Sequence, residues 1–202
     1  KTLIFDKFQN DTLIQAKGIN FSVKDLLNHE LSSHFQDGNF ITVYLSPKDC
    51  HRIFSPSNGE ILGYSYVPGA LYPVRSPYIE KLDGLYIKNE RVTTFIQTPF
   101  GKMALVKVAA MNVSSITLEY DKSFNQTSTI QTSPNETFSS PIPIKKGDWI
   151  STFNLGSTIV LLMEKSIKTD FIINQDSPLN YGQKIATIDK AISDKSTQAI
   201  KN

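Results

Sequence analysis

The chain has 202 residues, 40% apolar and 20% charged, enough for one domain with a sizeable core. Its net charge of +2 is too small to argue for nucleic-acid binding. A single cysteine, Cys50, excludes an internal disulfide and a cysteine-based zinc site.

Taken in chain order, short β-branched or aromatic runs bounded by Gly, Pro, Asn or Asp read as strands. The first is expected over 2–8. Gln15-Ala16-Lys17-Gly18 reads as a turn ahead of a helix, which Ser22 caps and which carries the stripe Val23, Leu26, Leu27 and Leu31. Strands follow over 40–45, 59–67, 91–98, 103–110, 115–119, 149–153 and 158–163. Phe100-Gly101-Lys102 and Lys146-Gly147-Asp148 read as hairpin turns. Residues 123–140, rich in Ser, Thr, Asn and Pro, read as a long polar loop, and the chain is expected to fray from Asp189. The longest apolar run, Ile159 to Met163, is strand-sized and far from the roughly 18 residues of a membrane-spanning helix. It is apolar on both faces, so its strand is expected inside a sheet. No composition shift divides 1–202. The chain opens at Lys1 without Met, so further residues upstream are expected.

Four segments carry chemistry. In Phe153-Asn154-Leu155-Gly156-Ser157-Thr158, Gly leaves its carbonyl open to a nucleophile, and the Ser hydroxyl after it can swing back onto that carbonyl. The plain alternative is an ordinary Gly-Ser in a strand. In the segment from Tyr44 to Pro56, two prolines stiffen a loop that places Asp49, His51 and Arg52 within four residues: an acid, a titratable base and a fixed cation. A lone histidine is more often structural, but a rigid polar loop improves the case for His51. Lys88-Asn89-Glu90-Arg91-Val92 has the plain reading of a surface salt bridge and a turn. Gln15 to Gly18 has that of an ordinary turn.

Together and in this order, these segments resemble the bacterial-type phosphatidylserine decarboxylase proenzyme family, over Gln15 to about Glu164. The family pattern combines Gln-Ala-Lys-Gly, Tyr-Leu-Ser-Pro-x-Asp-x-His-Arg, Asn-Glu-Arg-Val and Leu-Gly-Ser-Thr. The resemblance implies that Ser157 attacks the Gly156 carbonyl and forms an ester. Loss of the Ser157 α-proton then expels the upstream chain as a carboxylate. Hydrolysis releases ammonia and leaves a pyruvoyl group at the head of 157–202, with 1–156 as the long chain. A pyruvoyl ketone is an electron sink for decarboxylation, the role pyridoxal phosphate plays elsewhere. His51 matches the histidine that assists decarboxylation, and Asp49 is expected to orient it or tune its pKa.

The resemblance also implies phosphatidylserine as substrate, a membrane surface as partner, peripheral placement at a bacterial inner membrane, and room for a homodimer. The expected fold is mainly β (α+β): antiparallel sheets in a sandwich or flattened barrel with a few short helices. Phe54, Tyr64 and Tyr66 are candidate rim residues for acyl chains, though packed aromatics are the plainer reading. Two departures stand out. The self-cleavage histidine of a His-x-x-His spacing is replaced by Phe54, which accepts no proton, and the family Asp would fall just before Lys1. Slow or absent self-processing is therefore expected. His29 and His34, the other two histidines, are expected to be solvated rather than catalytic. The alternative function is a non-processing relative that binds anionic phospholipid. A small amino acid as substrate also fits the residues. A zinc peptidase does not, because no histidines are paired at ligand spacing.

Overall fold

A computed structural model describes residues 3–7, 12–16, 19–74, 77–111, 115–124, 135–153 and 157–190. In chain order the elements are β1 (Leu3–Lys7), β2 (Thr12–Ala16), β3 (Ile19–Ser22), α1 (Val23–Leu27), a 3-10 turn (Glu30–Phe35), β4 (Asn39–Leu45), β5 (Arg52–Phe54) and β6 (Gly59–Val67). They continue with α2 (Tyr78–Lys81), α3 (Leu85–Lys88), β7 (Arg91–Gln97), β8 (Lys102–Val108), β9 (Ile116–Leu118) and β10 (Asn135–Ile144). The last four are β11 (Trp149–Phe153), β12 (Ser157–Met163), β13 (Ile167–Phe171) and β14 (Ala186–Lys190).

A seven-stranded antiparallel sheet in the order β1-β4-β12-β8-β7-β6-β10 carries the fold, and a three-stranded sheet β5-β11-β9 stands beside it. Apolar residues of both join one core. Among the described residues no sheet closes into a barrel. β1 pairs only with β4 and β10 only with β6, so both edges stay open and the flattened-barrel expectation gives way to packed open sheets.

β12 is interior, as its unbroken apolar run requires. It pairs with β4 on one side and β8 on the other. One face carries the row Tyr44, Thr158, Val108, Arg91, and the helices cover that face: the Arg91 Nε donates to the Leu26 carbonyl at 2.7 Å. The opposite face carries the row Val43, Ile159, Lys107, Val92, Tyr66. Over it lie Tyr120 and Phe124, which follow β9, and Phe138 of β10.

Ser22 caps α1 by accepting from the Asp25 N–H at 3.0 Å, as the sequence predicts, but the helix ends at Leu27 and Leu31 belongs to the 3-10 turn. The β7–β8 hairpin turns where expected. Gly101 has φ +148, and a Cβ there would collide with the Ser166 hydroxyl, so only Gly fits. Gly147, at φ +90, serves the turn into β11. The expected polar loop is partly strand: β10 begins at Asn135, while 125–134 lie outside the described residues. The tail is ordered as β14 up to Lys190, and the residues beyond it also lie outside.

Candidate active site

The site is assembled by one short loop. Leu45 ends β4, and the chain turns through Ser46-Pro47-Lys48-Asp49 before β5 starts at Arg52. Asp49 closes the turn: its N–H donates to the Ser46 carbonyl at 2.9 Å, and its Oδ2 accepts from the Ser46 N–H at 2.8 Å and the Ser46 hydroxyl at 2.9 Å. This is the local side-chain-to-backbone bonding that makes Asp a turn residue.

Both ends of that loop pair with residues that flank positions 154–156. Ser157 stands opposite Leu45 in the β12–β4 register, and the Phe153 N–H donates to the His51 carbonyl at 3.0 Å. Phe153 and Ser157 are thereby held at the two ends of the histidine loop, although Phe153 lies 102 positions after His51 and Ser157 lies 112 positions after Leu45. Asn154, Leu155 and Gly156, one side of the expected scissile bond, lie outside the described residues, and Ser157 is placed through its backbone register.

Both ring nitrogens of His51 are buried and have no hydrogen-bond partner among the described residues. Asp49 therefore does not orient the imidazole through a direct hydrogen bond, one of the two roles expected of it. Its Oδ2 is committed to Ser46, two bonds that shape the loop carrying His51. A buried imidazole is costly to leave without a partner, which makes His51 the candidate for proton transfer at this site.

Phe54 stands opposite Trp149 in the β5–β11 pair, with its ring edge-on to Tyr181 at 5.4 Å. Tyr64 and Tyr66 are packed aromatics rather than an acyl-chain rim. Tyr64 meets Phe124, Phe138 and Tyr120, and the Tyr66 hydroxyl donates to Glu90 Oε1 at 2.6 Å. Of the remaining histidines, His34 is exposed, as expected, and His29 is half-buried. His29 caps the 3-10 turn, its Nδ1 accepting from the Leu31 N–H, with burial lowering its pKa, and His34 lies 3.8 Å from Glu164.

The Asn-Glu-Arg-Val segment is a buried knot, not a surface salt bridge. Asn89 is 0% exposed; its Oδ1 accepts from the Tyr72 N–H and its Nδ2 donates to the Tyr72 and Ala109 carbonyls. Arg91, 3% exposed, donates to the carbonyls of Asp25, Leu26, Ile87 and Asn89, tying the ends of α1 and α3 to β7. Burial lowers its pKa to about 10, so it stays charged at neutral pH. An Asn89→Ala chain strands one N–H and two carbonyls, and is expected to lose about 2–3 kcal/mol of stability. An unchanged urea midpoint would refute this. Gln15 and Ala16 end β2 in a hairpin with β3, while Lys17 and Gly18 lie outside the described residues.

Two buried groups escaped the sequence reading. Tyr86 of α3 is 1% exposed and lies beside Thr158, the residue after Ser157, with burial raising its pKa. Lys107 is 0% exposed within β8, where a lysine inside Met103 to Ala110 was the available signal.

Comparison with known proteins bears directly on this geometry. The family model for phosphatidylserine decarboxylase matches residues 1–187. The chain belongs to the phosphatidylserine decarboxylase family. A phosphatidylserine decarboxylase proenzyme of Myxococcus xanthus is 38% identical over 177 residues, covering 87% of this chain and 62% of that protein. One from Anaeromyxobacter sp. (strain K) is 40% identical over 154 residues, 75% of this chain and 55% of the relative. One from Brevibacillus brevis is 39% identical over 180 residues, 87% and 64%. The chain thus spans less than two thirds of the length of these curated phosphatidylserine decarboxylases.

Proposed function

We propose that the protein decarboxylates phosphatidylserine to phosphatidylethanolamine with a pyruvoyl group made from Ser157, after self-cleavage between Gly156 and Ser157. The observation that supports this best is the pairing of two sequence-distant segments. The loop that carries His51, whose ring has no hydrogen-bond partner among the described residues, also pairs with the chain on both sides of the Gly-Ser bond, at Phe153 and Ser157. An orphaned buried imidazole beside the head of β12 fits a carbonyl cofactor at that place and the need for a proton there.

When formed, a pyruvoyl group supplies the electron sink for loss of CO₂. The chain's own residues do the rest. His51 delivers the proton to the substrate α-carbon that has lost its carboxylate. Asp49 holds the His51 loop closed. Burial of the β12 face at Thr158 and Tyr86 keeps water from one side of the site. Among the described residues no helix is long and apolar enough to cross a membrane.

Denaturing mass spectrometry of the purified chain tests the proposal. Two chains ending and beginning at Gly156 and Ser157, the second with a pyruvoyl end, are the expected result for an active protein. One intact chain, together with binding to anionic phospholipid, favours the non-processing alternative. Phe54 motivates that alternative, because its ring rests on Tyr181 and cannot take a proton. Phe54→His, made in a chain carrying its natural upstream residues, is expected to speed scission at least about 100-fold, as restoring a missing base does. Equal scission rates in the two chains would show that another group is the base.

A further inference from the structure

Beside the site, the β5–β11 pair of the three-stranded sheet carries a ledge of aromatic and cationic side chains that the core does not use. Trp149 is 42% exposed and Tyr181 is 65% exposed. They are joined through Phe54, which stands opposite Trp149 and packs edge-on against Tyr181. The Arg52 guanidinium lies 4.7 Å from the centre of the Trp149 ring. Just ahead of Trp149, Lys145 and Lys146 are exposed in a turn. That turn is held by Asp148, whose Oδ2 accepts from the Lys145 N–H at 2.7 Å. Arg52, Lys145 and Lys146 are thus exposed cations on or next to the ledge, while the Asp148 carboxylate is engaged with the turn backbone.

We propose that this ledge docks on an anionic lipid bilayer, with Trp149 and Tyr181 seated among the headgroups and Arg52, Lys145 and Lys146 against the phosphates. This inference rests on the proposed function, whose substrate is an anionic lipid. Three features select a bilayer over a protein partner. Tryptophan and tyrosine with a polar tip suit the interfacial layer. Arginine stacked on an indole keeps its charge while its stem and the ring share apolar contact. Lysines are depleted from protein–protein interface cores but favoured beside anionic lipid. The ledge is also continuous with the site. Arg52 follows His51 and stands opposite Thr152, the neighbour of Phe153. Docking through the ledge brings β5, and with it the loop carrying His51, to the lipid surface, where a headgroup substrate can be reached without leaving the membrane.

Trp149 is the chain's only tryptophan, so intrinsic fluorescence reads this face alone. Vesicles of phosphatidylcholine with or without phosphatidylglycerol, an anionic lipid that is not a substrate, separate docking from turnover. The expected result is a blue shift and quenching by headgroup-proximal brominated lipid with the anionic vesicles, weakened by salt. With neutral vesicles neither is expected. The double variant Lys145→Glu/Lys146→Glu is expected to lower partitioning at least about tenfold. It should leave turnover of a water-soluble short-chain phosphatidylserine unchanged. Protein that sediments with anionic vesicles without a change in Trp149 emission would place docking on another face, and absence of vesicle binding would also overturn the proposal. Absence of turnover on the soluble substrate in a fully cleaved chain would instead count against the catalytic reading and leave the fluorescence result standing.

Discussion

Replacing Ser157 by Ala is expected to leave one uncut chain with no turnover, and replacing His51 by Ala to lower decarboxylation by about 10²–10⁴-fold without weakening the fold. The two changes separate making the cofactor from using it. Without a hydroxyl at 157 no ester forms, so neither scission nor a ketone follows. His51 differs because its structural contribution is made by its backbone: its carbonyl accepts the Phe153 N–H, and alanine keeps that bond. Its ring makes no hydrogen bond among the described residues, so truncation removes an unsatisfied buried group. The relieved polar burial offsets the void that alanine leaves, so the fold is expected to change little in stability. The measurements are CO₂ release and the melting temperature, in whichever background, parent or Phe54→His, yields two chains. A His51→Ala chain that melts like the parent and loses turnover is the expected outcome. Full turnover in that chain would remove His51 from the reaction, and scission in Ser157→Ala would move the cofactor elsewhere.

The fold was legible in the sequence where burial is two-sided or a turn demands a special residue. β12, β4, β7 and β8 announce themselves as apolar runs because neighbours cover both of their faces. Gly101 and Gly147 mark their turns because only glycine is comfortable there. β10 was hidden because it is an edge strand: Asn135, Glu136, Thr137, Ser139 and Ser140 face solvent, and a bulge between Thr137 and Ile142 breaks what alternation there is. β5 has three residues, too few to show a period. At the site, the short spacing of Asp49 and His51 suggested a dyad. Chain proximity does not fix side-chain direction, and the turn claims the carboxylate. Asn89 and Arg91 looked like surface groups because their partners are main-chain carbonyls, which leave no trace in residue types.

Lys107→Met is expected to stabilise the protein by roughly 4 kcal/mol at pH 6, with the advantage shrinking as pH rises. Lys107 is 0% exposed; its Nζ donates to the Thr94 hydroxyl, which also bonds the Tyr120 hydroxyl at 2.7 Å. Burial alone pushes its pKa from 10.5 down to about 7. The sign follows from counting protons. Below pH 7 the amine is charged in both states, and the folded chain bears the full cost of a buried ammonium. Between pH 7 and 10.5 the unfolded chain holds a proton the folded chain lacks, so folded stability climbs with pH. Above 10.5 both are neutral and the cost is gone. Methionine fills the same space without a charge and leaves Thr94 and Tyr120 bonded to each other, so it is spared the cost at every pH. Urea midpoints for parent and variant at pH 6 and pH 9.5 read the difference directly, because every other titrating group is common to both chains. A gap that narrows toward pH 9.5 fits a neutral buried amine. A constant gap would mean that Lys107 keeps its proton throughout, which the apolar row of Val43, Ile159 and Val92 on its own sheet face leaves without a compensating charge.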